Sequence, residues 1–404
     1  MKPSLLFLIQ RLPYPPTKGD KIRALQIFRY LAQWYDMHLG CLLDDPADAE
    51  HIDTMRALCE SIHIAPLNRR LATLLCLRGM LTGDALSVAY FQDRGLARWV
   101  RTIMTRVKPE MVFVYSSNMA PYVLDLPKSA PLVVDLVDVD SEKWKAYAEA
   151  LTGLKRWVYR REWRQVAALE RRIAQEADVA SFVSNAEATL FETLVPDRAA
   201  AVIGVSNGVD HDYFDPARSY PAVYDTSVPN YVFTGTMDYK PNADAVVWFA
   251  TEILPVVRRT LPAAKFHIVG HSPNDAVQRL SGIDGVNVTG RVADVRPYVA
   301  HATASVAPMR IARGIQNKVL EAMALARPVV VTSGALEGIE AVPGQEVVLA
   351  DTVENFAAAC VRLAIGDQGP IIGAAARNCV LRHYDWPARL SRFDEWLRPT
   401  ETAT

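Results

Sequence analysis

The chain has 404 residues, 50% of them hydrophobic and 22% charged, with a formal net charge of −1. That length exceeds one ordinary core and calls for two domains or three, while the composition excludes a fibrous or disordered chain. Near-zero net charge gives bulk electrostatics no hold on a nucleic acid. Five scattered cysteines (Cys41, Cys59, Cys76, Cys360, Cys379) with no C-x-x-C pair argue against a zinc site or disulfide framework and suit a reducing compartment.

The opening MKPSLLFLIQRLPYPP resembles a signal peptide, but its apolar run is short and no small-residue cleavage site follows. A buried first strand is expected there. No apolar run is long enough to span a bilayer, so the expected location is the cytoplasm, or the inner face of the membrane if something else carries the chain there. Short runs rich in Val, Ile and Phe predict strands at 5–9, 38–43, 62–65, 111–116, 132–137 and 179–184. A second set follows at 231–235, 266–270, 286–290, 304–309, 328–333 and 346–350. Amphipathic stretches such as GDKIRALQIFRYLAQWY and NADAVVWFATEILPVVRR lie between them. Continuous apolar strands alternating with helices predict parallel sheets covered on both faces, and the number of strands suffices for two doubly wound α/β domains.

Periodicity fails over SNGVDHDYFDPARSYPAVYDTSVPN (206–230), which marks the seam. The expected division is 1–205, rejoined by a C-terminal helix within 385–404, and 206–384. Two such domains place the carboxyl ends of their sheets, and their ligand loops, at a shared cleft.

The stretch RIARGIQNKVLEAMALARPVVVTS (310–333) is electrostatically odd. A helix expected over about 315–325 starts among Arg310, Arg313 and Lys318, although helix N-termini favour acids. Ile315, Val319, Ala322 and Met323 form its buried stripe, and Lys318 and Glu321 share the other face. Gly314 lets a ligand approach the backbone, and free N–H groups of the first turn with Lys318 form an anion site. Glu321 lies roughly 9 Å along the axis from Ile315 at 1.5 Å per residue. Its side chain leans back towards the N-terminus, within reach of hydroxyls beside a bound phosphate. A diphosphate joined to a ribose fits that geometry. The plain alternative is an amphipathic helix with a surface Lys–Glu pair, but that orientation is the weaker one.

GIQNKVLEAMALARPVVVTSGALEGIE resembles the donor-binding segment of retaining glycosyltransferases of family 4, which have the GT-B fold of two Rossmann-like domains. RLPYPPTKGDKIR (11–23) is similar to that family's first glycine loop, SNGVDHDYFDP (206–216) to its interdomain segment, and FTGTMDYKPNADAVVWF (233–249) to the opening of its second domain. DLVDVDSEKWKAYA (135–148) and TGRVADVRPYVAHATASVAPMRIARGIQNKVLEAMA resemble a bacterial subgroup found with exopolysaccharide and exosortase (PEP-CTERM) gene clusters.

The resemblance implies a nucleotide-diphosphate sugar as donor, with Glu321 on the ribose and Gly314 to Lys318 on the diphosphate. It sets Gly19 against the diphosphate from the first domain, and Arg291 and Val292 against the base. Gly235 opens the second domain, and His271, directly after a strand, is placed to touch the nucleotide. Two departures matter. Arg313 stands where the family usually has an acid contacting the donor hexose, and Thr236 follows Gly235 where an arginine is common. Arg310, Arg313 or Lys240 would then supply the phosphate-binding charge.

On the acceptor side the family commonly has a histidine where this chain offers Asp138 and Asp140. Asp138 is a candidate for binding an acceptor hydroxyl or stabilising charge on the sugar; the alternative for this loop is helix capping by Asp140 or Ser141. Retaining transfer in the family needs no obligatory protein base. No His/Asp/Glu spacing suggests a held metal, and the resemblance implies metal-independent transfer without a cofactor. His38, His63 and His267 read as packed strand residues.

GLKRWVYRREWRQVAALERRIAQEAD (153–178) interleaves aromatic and basic residues. It is either a solvated helix with packed aromatics or a patch for peripheral membrane contact. The expected function is transfer of a sugar to a saccharide or lipid-linked acceptor in bacterial exopolysaccharide or cell-surface glycan synthesis. Alternatives are a nucleotide-sugar 2-epimerase of the same fold and a non-catalytic nucleotide-binding assembly subunit.

Overall fold

Two all-parallel sheets organise the chain, seven strands in one and six in the other. The computed structural model describes all residues except Met1, Thr17, Lys18, 69–71, 74–75, 77–78, 81–82, Arg313, Gly314 and 400–404. Two compact units result, 1–206 with 390–404, and 207–389.

The first unit contains β1 (Ser4–Ile9), β2 (Asp36–Leu43), β3 (Ser61–Pro66), β4 (Met111–Tyr115), β5 (Leu132–Val137), β6 (Val179–Phe182) and β7 (Ala201–Gly204). Their order is β3-β2-β1-β4-β5-β6-β7, so the winding reverses between β1 and β4. All five residues of β4 are buried, as expected of a strand covered on both faces. β7 was not anticipated from sequence. It is a short edge strand of four residues, largely half-buried, that runs on from a stretch of alanines.

Across β4, β5 and β6, Tyr115, Asp135 and Ser181 stand in register as a polar row at the carboxyl ends. Arg23, from the Gly19–Leu31 helix, is 1% exposed and donates from Nε to Asp135 Oδ2 at 2.8 Å and from Nη1 to the Val205 carbonyl at 2.7 Å. The C-terminal segment completes this unit from Leu390 onward. Leu390, Phe393 and Leu397 are buried, Phe393 packs edge-on to Phe113, and Tyr30 and Tyr35 hydroxyls donate to Asp394 and to the Leu397 carbonyl.

The second unit contains β8 (Asn230–Thr234), β9 (Lys265–Val269), β10 (Val286–Gly290), β11 (Ala304–Ala307), β12 (Val329–Val331) and β13 (Val348–Leu349). Their order is β10-β9-β8-β11-β12-β13, with the reversal between β8 and β11. The loops after β8 and β11 therefore open at the switch point, where doubly wound sheets hold ligands. The first residues of this unit are tied down locally. Val209 N–H donates to the Tyr384 carbonyl and Val209 bridges Asp385. Arg377 Nη1 donates to the carbonyls of His211, Phe214 and Ala324.

Candidate functional site

The loop leaving β11 leads into a helix at Asn317–Ala324, shorter at both ends than the predicted 315–325. Val319, Leu320, Ala322, Met323 and Ala324 are fully buried, which fixes the helix against the sheet. Ile315 falls outside the helix and packs, half-buried, against the same core. Lys318 and Glu321 occupy the opposite face, each half-buried. Lys318 Nζ donates to Gln316 Oε1 at 3.0 Å and lies 5.2 Å from the centre of the Phe233 ring.

The Glu321 carboxylate receives no hydrogen bond among the described residues. Burial lifts its pKa to about 7, against the opposing pull of Lys318. Burial likewise lowers the Lys318 ammonium to about 8, with Glu321 opposing. Each keeps part of its surface open while desolvation by its surroundings governs its charge. An acid so placed is ready for hydroxyl donors, and a desolvated cation beside it for an anion. Arg313 and Gly314 lie outside the described residues.

At the ends of β8 and β9 the backbones meet closely. A Cβ on Gly270 would lie 1.7 Å from the Gly235 carbonyl oxygen, so only glycine fits there. Thr236 Oγ1 is 3.0 Å from His271 Nε2, and Ser272 Oγ is 3.0 Å from Nδ1, so both ring nitrogens of His271 are engaged. Asn242 Nδ2 donates to the Thr236 carbonyl, while its buried Oδ1 has no hydrogen-bond partner among the described residues. Beyond β10, Arg291 is exposed and Val292 packs half-buried on the core.

Arg310 is already held. Its Nε and Nη2 donate to Asp244 at 3.0 and 2.6 Å, and its guanidinium lies 5.3 Å from the Trp248 ring. A phosphate would have to compete with that carboxylate. Lys240, at the start of the Lys240–Trp248 helix, is exposed. Sequence reasoning overlooked Tyr213. Its hydroxyl pKa is raised by desolvation first, then by Asp294, with Glu321 contributing as well. Arg296, clamped by Asp294, stacks on the Tyr213 ring at 3.7 Å. The only sequence signal was an aromatic within the segment read as a linker.

In the first unit, Gly19 starts its helix and is exposed, and Asp20 sits in the first turn, 2.5 Å from Arg11. Lys21 pairs with Asp48 in a buried contact. Asp138 follows Val137, whose φ of 71° is rare for a β-branched residue. Desolvation raises the Asp138 carboxyl to about 6, with Glu187 and Asp140 adding to it, although the residue itself is exposed. Capping of the Asp140–Glu149 helix is not done by Asp140 or Ser141. Val139 holds the cap position without a side-chain bond, and the end is satisfied from other helices. Glu187 accepts from Val139 N–H at 2.8 Å and Glu170 from Ser141 N–H at 3.0 Å. Among the described residues no three His, Cys, Asp or Glu side chains group as a metal site.

Residues 228–365 match the family of glycosyl transferases group 1, a segment that spans all six strands of the second sheet, β8 to β13. No curated protein matches the chain. Solved structures do. Sucrose-phosphate synthase from Thermosynechococcus elongatus aligns at TM-score 0.68 and 16% identity, covering 98% of each chain. HepE of Anabaena in complex with UDP-glucose aligns at TM-score 0.64 and 16% identity, over 97% of this chain and 98% of that one. The α,α-trehalose 6-phosphate synthase of Burkholderia multivorans aligns at 0.66 and 12%, over 98% and 97%.

The chain has the GT-B fold. Its second unit contains the segment that matches the group 1 glycosyl transferase model, and within that segment Lys318, Glu321, Gly235 and His271 all lie beyond the carboxyl ends of strands β8, β9 and β11. No helix among the described residues is long and apolar enough to cross a membrane.

Proposed function

We propose that the protein is a retaining glycosyltransferase of family 4 that takes a sugar from a nucleoside-diphosphate donor. The observation that carries this reading is Glu321, a desolvated carboxylate without a hydrogen-bond donor among the described residues, one helical turn from the desolvated Lys318. Two ribose hydroxyls would supply the donors Glu321 lacks, and a diphosphate would neutralise Lys318 at the helix start. The HepE complexes, described with UDP and with UDP-glucose, support a nucleotide-sugar donor on this fold.

Asp138, raised and exposed, is the proposed contact for an acceptor hydroxyl. Transfer proceeds without a resident metal on this reading. The acceptor is a saccharide or lipid-linked saccharide of bacterial exopolysaccharide or cell-surface glycan synthesis, worked on at the cytoplasmic side, a reading supported by the sequence motifs at 135–148 and 289–324. Arg313 either holds phosphate or reads an acidic sugar.

Product analysis with a panel of nucleotide sugars and saccharide acceptors tests the reading. A glycosylated acceptor with retained anomeric configuration is expected. An epimerised nucleotide sugar, or donor left intact with every acceptor, would overturn it. Calorimetric titration of nucleoside diphosphates should show Glu321→Ala weakening affinity about ten- to a hundredfold.

A further inference from the structure

We propose that the helical hairpin of Asp140–Glu149 and Gly153–Glu176 docks the protein on an anionic lipid surface. This inference goes beyond the proposed transfer reaction and does not depend on it. The second helix of the hairpin has 24 residues and two unlike faces. Its inner face buries Val166, Ile173 and Ala174, together with Glu162 and Glu170, which bind backbone N–H groups of other helices. On the outer face Arg156, Trp157, Arg160, Arg164 and Arg171 fall within an arc of roughly 100° at 3.6 residues per turn. All five are exposed.

The arginines of this helix divide by what they touch. Arg161 donates to the carbonyls of Gly79 and Asp84, and Arg172 pairs with Asp125 and Glu176. Lys155, Arg156, Arg160, Arg164 and Arg171 form no ion pair among the described residues, in a chain with 45 acids to 44 bases. A local positive strip on a chain of net charge −1 is charge complementarity awaiting a partner.

The aromatics divide in the same way. Trp144 packs on Tyr159 at 5.4 Å, Tyr147 on Tyr159 at 6.0 Å, and Lys145 lies 5.8 Å from the Trp163 ring, so these rings hold the hairpin together. Trp157 is left outside at 55% exposure and Leu154 at 77%, beside the turn and among the free bases. An indole and a leucine at the headgroup boundary, flanked by arginines that reach phosphate while their stems stay apolar, match an anionic membrane surface.

Sedimentation of the full chain with vesicles tests this directly. Vesicles of equal phosphatidylglycerol and phosphatidylcholine should carry the protein down, those of phosphatidylcholine alone should not, and high salt should release it. The triple variant Arg156→Glu, Arg160→Glu, Arg164→Glu should lower partitioning roughly a hundredfold or more while keeping wild-type circular dichroism. Brominated lipid should quench part of the tryptophan emission, and that part should vanish in Trp157→Phe. Equal binding to both vesicle types, wild-type partitioning of the triple variant, or quenching retained in Trp157→Phe would overturn the proposal. Binding of single-stranded RNA without vesicle binding would overturn it as well, assigning the strip to nucleic acid.

Discussion

Arg23 and Asp135, 112 residues apart in sequence, meet at 2.8 Å with 1% and 0% of their surfaces exposed. The guanidinium also holds the Val205 carbonyl, so one side chain joins the first helix, the centre of the sheet and the end of β7. Removing one partner leaves the other charge buried and costs about 3–5 kcal/mol. Arg23→Met and Asp135→Leu should each destabilise the first unit by that amount in denaturant titration. The double variant should recover much of the loss, because a buried ion pair can be replaced by apolar groups of similar volume.

Nucleotide affinity should depend on pH through the two shifted groups of the second unit. Glu321 accepts hydroxyl bonds fully only when ionised, so affinity rises through its pKa of about 7. Lys318 loses its charge above about 8, so affinity falls beyond that. Calorimetry should give a maximum between the two. A terminal phosphate titrates near ~6 in both wild type and variants, so Glu321→Gln isolates the carboxylate by removing only the limb near 7.

The same shift makes a statement about stability. Glu321 binds its proton more tightly folded than unfolded, so the folded state gains from protonation below about 4.5 and loses that gain as pH rises through about 7. Glu321→Gln should therefore raise the Tm of the unliganded protein above pH 7, with the advantage shrinking as the medium is acidified. A Tm difference that grows towards acid would contradict the assigned direction.

Two glycines with positive φ separate close approach from backbone freedom. Gly290, at φ 67°, has open space where a Cβ would stand, so Gly290→Ala should cost only the left-handed penalty of roughly 1–2 kcal/mol. Gly270→Ala would drive a methyl into the Gly235 carbonyl and should prevent the ends of β8 and β9 from forming. Limited proteolysis of the two variants checks the contrast.

Glu162 accepts from Leu86 N–H, Ser87 N–H and Ser87 Oγ at 2.6–2.8 Å while 2% exposed. Glu162→Ala strands two backbone donors, at about 1–3 kcal/mol each. Glu162→Gln, which keeps one carbonyl oxygen, should lose less. Equal losses in a denaturation series would deny the capping role.

Much of this architecture was legible because buried parallel strands announce themselves as dense apolar runs. LLFLI and MVFVY lie on observed strands, whereas AVIG, four residues at the sheet edge running on from alanines, passed unnoticed. Lys318 and Glu321 stood out because their charges oppose the helix dipole. Tyr213 and Asp244 did not, since their significance comes from Arg296 and Arg310, partners that no local spacing reveals. Capping by Glu170 and Glu187 was hidden for the same reason: the acids that serve a helix end lie 29 and 48 residues away.

The return of Leu390–Leu397 to the first unit has a practical meaning for dissecting the molecule. A stop codon at 390 would not trim a tail; it would strip Phe393 and Leu397 from a finished interior and leave Phe113 uncovered. The second unit, by contrast, is one uninterrupted segment whose entering and leaving stretches are bridged at Val209 and Asp385. In genetic terms it is an insert. The faithful way to isolate its host is to splice Ser206 to Leu390 through a short linker, and the insert can be expressed as 207–389.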